Sequence, residues 1–284
     1  MRMANALEMQ WEQISQHRKE SPWFRRLLQG PRGALDNYEF TLVRVEDKYD
    51  TPRHNHNFDQ VRIMLDGSFD FGGQVQEAGT VGYFPAGTYY TQSARGASVT
   101  LLLQIGAACR QGYVDFTQVR GAASELALKG EFEDGLYRFE DENGDVQVVD
   151  GYEAVFKQAA GFAPVNPEPR FEGPVIVNTE AVEPRASADG GAIRFFGTFN
   201  EYGLTLTQRL GRTGEDMTLR PKSGQKALLY VQSGRLDSDG AGELTEGIAI
   251  ELDAGETVTG QVAADLAVYQ IDLPAFDEAA PAAV

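Results

Sequence analysis

HNHNFDQVRIMLDG (His54–Gly67) and AGTVGYFPAGTYYT (Ala78–Thr91) are the two stretches on which the reading of this chain turns. Each carries a short apolar run, Val61–Leu65 and Thr80–Phe84, that ends in a turn, Asp66-Gly67 and Pro85-Ala86-Gly87. Runs of four to eight β-branched and aromatic residues bounded by Gly, Pro and Asp are the mark of strands. The pattern extends outward through Tyr38–Val45, Phe69–Phe71 and Ser98–Ile105. Many short strands with turns between them indicate an all-β sandwich or barrel.

The same pattern occurs twice. His54–Gly67 lies on PKSGQKALLYVQSG (Pro221–Gly234) at an offset of 167, and Ala78–Thr91 lies on EGIAIELDAGETVT (Glu246–Thr259) at 168. Gly79, Ala86, Gly87 and Thr91 match Gly247, Ala254, Gly255 and Thr259. Two blocks in order at nearly one offset predict a duplicated domain.

The first copy resembles the cupin family. That family's first motif sets His-X-His, then an acid, then Gly six residues on; here the positions hold His54, His56, Gln60 and Gly67. Its second motif runs Gly, five residues, Pro-X-Gly, two residues, His; here the positions hold Gly79, Pro85, Gly87 and Tyr90. The acid has become Gln60 and the last His has become Tyr90, and Lys48 and Ala94 depart at the outer positions. The wider stretch resembles a group of two-barrel cupins of unknown function. The resemblance implies two jelly-roll barrels (a bicupin) and a metal held by His54, His56, Gln60 and Tyr90 in the first.

Residue chemistry agrees with that reading. Residues two apart on a strand share a face, so His54 and His56 point together. Imidazole suits Fe, Ni, Mn, Cu and Zn alike, so one divalent transition metal is expected without its identity. Neutral donors leave such an ion uncompensated, and the balancing charge is assigned to a Tyr90 phenolate, hydroxide or an anionic substrate. Arg62, two residues past Gln60, either holds a substrate carboxylate or lies on the surface. Tyr90 and Phe58 are candidates to line an aromatic cavity. In the second copy the four ligand positions hold Pro221, Ser223, Ala227 and Val258, so that barrel is expected to lack a metal.

Outside the barrels, Ser21-Pro22 before Trp23, Phe24, Leu27 and Leu28, with Gly30 after, predicts a short N-terminal helical segment within 1–30. The barrels are expected over 31–110 and 187–275, a connecting insert over 111–186, and a disordered tail over 276–284. Within the insert, a hairpin about Asn143-Gly144 and a helix opened by Asp150 and closed at Gly161 are expected. Prolines 164, 167, 169 and 174 mark an extended linker.

Charge bounds the partners. With 25 Lys plus Arg against 42 Asp plus Glu, a net charge of −17 argues against nucleic acid and anionic membranes. Cys109 is the single cysteine, which excludes an internal disulfide, and His17 is expected on the surface. The first residues show no uninterrupted apolar h-region and no apolar run reaches membrane-spanning length, so a cytoplasmic protein is expected. Barrels of this kind pair readily, so a homodimer is expected too. The functional expectation is a metal-dependent enzyme on a small molecule, aromatic or carboxylate-bearing, by dioxygenase-type cleavage or isomerase/lyase chemistry. Tyr90 is then the general acid or base and Arg62 the substrate-holding residue. The alternative is a non-catalytic small-ligand binding or sensing protein.

Overall fold

The computed structural model describes residues 1–13, 22–46, 49–106 and 112–275. The expectations on His17, Ser21, Lys48, Cys109 and the tail lie outside the described residues.

The first barrel is built from two antiparallel sheets. The larger has the strand order Val175–Asn178, Thr80–Phe84, Asp59–Asp66, Ser98–Ile105, Tyr38–Val45, Trp23–Gln29, Glu12–Gln13. The smaller runs Asp50–His54, Tyr90–Ala94, Ser68–Asp70, Val75–Glu77. The second barrel is one nine-stranded sheet centred on the long strands Ala227–Ser238 and Val258–Asp272.

Strand periodicity divides the core. Along Asp59–Asp66, Val61 and Ile63 join an apolar cluster shared by both barrels, with Phe40, Tyr83, Leu101 and Leu103 from the first and Leu206, Leu228, Tyr230 and Ile271 from the second. The alternate residues face the barrel interior, where Met64 packs with Phe69, Phe71, Phe84 and Tyr90. The repeat partner Ala227–Val231 alternates in phase: Leu228 and Tyr230 face the shared cluster, and Leu229 and Val231 face the second interior. The structure therefore bears out the duplicated all-β jelly-roll reading.

The duplication reaches further than the two matched blocks. Arg2–Asn5, which precedes the first barrel, pairs with Ile248–Leu252 of the second. Val175–Asn178, which precedes the second, pairs with Thr80–Phe84 of the first. Both exchanged strands end in a 3-10 turn capped by an asparagine, Asn5 on Leu7 N–H and Asn178 on Glu180 N–H. The turns dock on repeat-related carbonyls: Ala6 N–H donates to Gly247 and Thr179 N–H to Gly79. Each barrel's edge strand is thereby covered, which removes an exposed template for aggregation.

One expectation is corrected. Trp23–Gln29 is a strand paired with Tyr38–Val45, with a β-bulge between Arg26 and Leu28. The bulge inserts Leu27 and resets the alternation, so Phe24, Leu27 and Leu28 are all buried at a spacing that imitates a helical face.

The insert holds more structure than expected. α1 (Phe116–Ala127) is capped by Asp115 in a reciprocal box with Gln118. A three-stranded sheet follows, Gly130–Glu133, Leu136–Glu140 and Val146–Asp150, of which the last two form the expected hairpin. α2 (Gly151–Ala160) starts where Asp150 accepts from Glu153 N–H and stops at left-handed Gly161, as expected. Together they form a small core of Ala122, Leu126, Tyr137 and Val155.

The repeat-matched Gly67 and Gly234 have φ of 72° and 83°. A Cβ there would stand 2.2 Å from the Ala97 carbonyl oxygen and 2.0 Å from that of Asp265. Gly234→Ala is therefore expected to cost at least about 1–3 kcal/mol from backbone strain alone, read as a lowered urea midpoint. An unchanged midpoint would show that this turn relaxes freely.

Candidate functional site

Two strands bring the candidate residues of the first barrel together. His54 ends Asp50–His54 and pairs in register with Tyr90 at the start of Tyr90–Ala94. The ring centroids of His54 and His56 are 5.0 Å apart, and Tyr90 lies 4.8 Å from His54 and 6.1 Å from His56. His54 Nδ1 lies 2.7 Å from the Pro52 carbonyl oxygen. A carbonyl only accepts, so Nδ1 donates there, and in the neutral ring that leaves the lone pair on Nε2, the tautomer that a metal-binding imidazole needs. The backbone of His56 is fixed by Gly87, whose N–H donates to the His56 carbonyl at 2.8 Å. Gly87 has φ 81°, and a Cβ there would lie 2.0 Å from the Pro167 carbonyl oxygen. The turn of the second motif is thus packed between the first motif and the proline-rich linker.

Gln60 and Arg62 face the same interior. Gln60 Oε1 accepts from Arg62 Nε at 2.9 Å and Nη2 at 2.7 Å, and Gln60 Nε2 lies 3.3 Å from the Tyr90 hydroxyl. Arg62 also donates to Tyr90 Oη at 3.3 Å and to Gln92 Oε1 at 3.0 Å. Its guanidinium lies 4.6 Å from the centroid of Phe84 and 5.0 Å from that of Phe71, and the residue is only 8% exposed. Arg62 is therefore inside the barrel, and every partner of its guanidinium named here is neutral. Burial pushes the Tyr90 hydroxyl above its ordinary pKa, against the pull of Arg62, and this favours the protonated phenol.

The donor chemistry fits a divalent transition ion in part. Two adjacent imidazoles, one in the ligating tautomer, suit it, with Tyr90 beside them. Gln60 turns its carbonyl oxygen to Arg62 in this arrangement. Among the described residues no group of three or more His, Cys, Asp and Glu is placed to hold a metal.

Phe58, read as a cavity wall, stacks on His56 at 4.6 Å. Its other neighbour is Tyr113, 5.1 Å away, whose hydroxyl donates to Gln104 Oε1 at 2.6 Å inside the barrel. Tyr152 on α2 donates to Asn57 Oδ1 at 3.1 Å. Sequence reasoning missed Tyr113, Tyr152 and Gln92. The last was within reach, since it follows Tyr90 at strand spacing; the first two lie in the insert and carry no motif. The clefts of about 260 and 400 Å³ against the insert are lined by other residues, so the barrel mouth is not among them.

The second barrel differs at the positions that match the candidate site residues. Leu229 stands where Arg62 does, and Val258, at the position of Tyr90, joins an apolar interior with Leu219, Ile250 and Val262.

These features define a class: a double jelly roll whose two barrels differ at the candidate site positions. No sequence-family profile matches the chain, and no curated protein sequence does. Its similarity to known proteins is in three dimensions. A dioxygenase candidate from Nostoc punctiforme superposes with a TM-score of 0.64 at 8% identity, covering 100% of this chain and 86% of the other. Bacterial pirin YhhW from Escherichia coli, in complex with nickel(II), gives 0.53 at 10% identity, covering 97% and 99%. A deletion mutant of Bacillus subtilis oxalate decarboxylase OxdC gives 0.54 at 11% identity, covering 96% and 76%. The fold is that of the two-barrel cupins. No described helix is long and apolar enough to cross a membrane.

Gln60→Glu tests the electrostatics of the interior. A carboxylate there gives the buried guanidinium an ionic partner. Its pKa is expected to fall below the ordinary value, so the added stability is present at neutral pH and lost as pH drops through that depressed pKa. Thermal melts across pH check this; a variant less stable than the parent at every pH would show that Arg62 is already satisfied by neutral partners.

Proposed function

We propose that the first barrel is the site of a divalent-metal-dependent enzyme acting on a small carboxylate-bearing molecule. One observation carries the reading: Arg62 is buried, is stacked on Phe71 and Phe84, and is hydrogen-bonded to the neutral Gln60, Tyr90 and Gln92. A buried cation with no anionic partner among the described residues is costly, and the planar guanidinium matches a carboxylate in two parallel hydrogen bonds. The superposed dioxygenase candidate and the oxalate decarboxylase support small-molecule chemistry on this fold.

His54 and His56 would hold the ion, with Tyr90 as the adjoining oxygen donor and Gln60 able to join once its carbonyl leaves Arg62. A bound divalent ion supplies Lewis-acid or redox chemistry at a substrate oxygen. Arg62 fixes the substrate by its carboxylate. Where Tyr90 does not ligate the ion, its hydroxyl, kept protonated by burial, would give a proton to the bound molecule and take it back. The aromatic surfaces of Phe71 and Phe84 exclude water from that exchange. Cleavage with dioxygen and isomerase or lyase chemistry both fit this arrangement.

The engagement of Gln60 Oε1 with two Arg62 N–H groups favours a second reading, a small-ligand binding barrel without turnover.

The test is elemental analysis of untagged protein, with reconstitution by Fe, Ni, Mn, Cu and Zn, beside His56→Ala. About one equivalent of metal per chain, lost in the variant, is expected. Small mono- and dicarboxylates are expected to raise the melting temperature of the loaded protein, with affinity reduced roughly tenfold or more, ~1.4 kcal/mol, in Arg62→Lys. Carboxylate binding without metal would leave the ligand-binding reading; neither metal nor carboxylate binding would sink both.

A further inference from the structure

The insert reaches the candidate site at two adjoining residues. His56 is followed by Asn57 and Phe58, which are 2% and 8% exposed. The Phe58 ring stacks on the His56 imidazole with an interplanar angle of 30°. The Phe58 ring also meets that of Tyr113 in a T-shaped contact at 88°. Tyr113 is anchored at both ends: its hydroxyl donates to Gln104 inside the barrel, and its carbonyl accepts from Asn37 Nδ2 at 2.6 Å. Gln104 pairs in register with Gln60, so the anchor lies on the strand next to the one that carries Gln60 and Arg62. Asn57, between the two rings, accepts the Tyr152 hydroxyl from the first turn of α2.

The base of the insert is tied down where Tyr113 leads into α1. Asp115 accepts from Arg32 Nε and Gln29 Nε2, each at 2.6 Å. Buried Glu39 accepts from Phe116 N–H at 3.2 Å and from Arg26 Nε at 2.6 Å. Phe116 in turn packs edge-on against Phe24 at 5.0 Å. The two imidazoles are therefore held in different ways. His54 is oriented by the Pro52 carbonyl of its own strand, whereas the ring of His56 rests on a stack that begins in the insert.

We propose that Tyr113 and Tyr152 are positioning residues for the His56 imidazole, so that docking of the insert on the first barrel and the geometry of its metal-binding face are one coupled arrangement. The inference rests on the metal reading above for its consequence, but its structural content does not need a metal. An aromatic ring in contact with two neighbouring rings has fewer orientations available, and a ligand ring fixed by its neighbours binds its ion more tightly than one free to turn. Tyr113 acts by ring contact through Phe58, and Tyr152 acts through the backbone of the same loop.

The chain has three histidines, so ring ¹H–¹³C resonances can be assigned by single substitutions in metal-free protein. In Tyr113→Ala the His56 resonance is expected to move, because the Phe58 ring that shields it loses its support, while that of His54 stays in place. Tyr113→Phe keeps the ring and is expected to restore the parent position. Tyr152→Phe, which removes one hydroxyl, is expected to give a smaller shift of His56 alone, and it serves where Tyr113→Ala fails to fold. Cobalt(II) titration is expected to show affinity lowered about 10–100-fold in Tyr113→Ala, the usual range for groups that orient a ligand, with a changed visible spectrum. An unmoved His56 resonance in folded Tyr113→Ala, or equal shifts of both histidines, would overturn the positioning role. Parent protein that binds no cobalt while His56 still moves would overturn the metal reading and leave the positioning role standing.

Discussion

The strand Asp59–Asp66 is buried on both faces, and that constraint organises the molecule. Its odd residues, Val61 and Ile63, are part of the apolar cluster that joins the barrels; its even residues, Gln60, Arg62 and Met64, form the interior of the first. A slip of one residue would exchange the two sets, driving a guanidinium into the shared core and two aliphatic side chains onto the polar site. The chemistry of the interior and the cohesion of the two halves are therefore fixed by one register. The same strand begins at Asp59, whose carboxylate accepts from Ala86 N–H at 2.8 Å and from Asn200 Nδ2 of the second barrel at 3.0 Å. Burial raises the pKa of that carboxyl, yet it ties the Pro-Ala-Gly turn to the other half of the molecule.

Duplication then divided the labour. Both copies keep the glycines that let backbones approach and the exchanged strands that cover their edges. They differ on the interior face, where Arg62 and Tyr90 are answered by Leu229 and Val258. The second barrel sets Leu229 and Val258 in an apolar cluster and gives its own buried arginine, Arg209, an acidic partner in Asp189. The first accepts a poorer core: it buries a guanidinium and surrounds it with amide, phenol and aromatic faces.

Much of this was legible in the sequence, because local period and spacing carried it. Tyr38–Val45, Thr80–Phe84 and Ser98–Ile105 fall where alternation placed them, and α2 starts and stops at its marked residues. What escaped was set by tertiary contacts. The bulge at Leu27 gave a strand the spacing of a helix. Val175–Asn178 reads as the end of a proline-rich linker, and only the open edge of Thr80–Phe84 makes it a strand. The site divides the same way: His54, His56, Gln60, Arg62 and Tyr90 lie at motif or strand spacing, whereas Tyr113 and Tyr152 enter from a segment with no spacing relation to the barrel.

That division bears on what the replacements of the expected acid and histidine mean. A carboxylate at position 60 would pair with Arg62 inside the protein and cancel its charge. Glutamine instead holds the guanidinium by its carbonyl oxygen and supplies no charge, so among the described residues Arg62 has no anionic partner. Any divalent ion at the imidazoles adds to the positive charge. The buried Glu39 offers little relief, since it is already engaged by Arg26 and by the start of α1. On the proposed reading, an anionic substrate would meet both Arg62 and the ion, and glutamine at position 60 would leave the demand for negative charge to that ligand rather than to the protein.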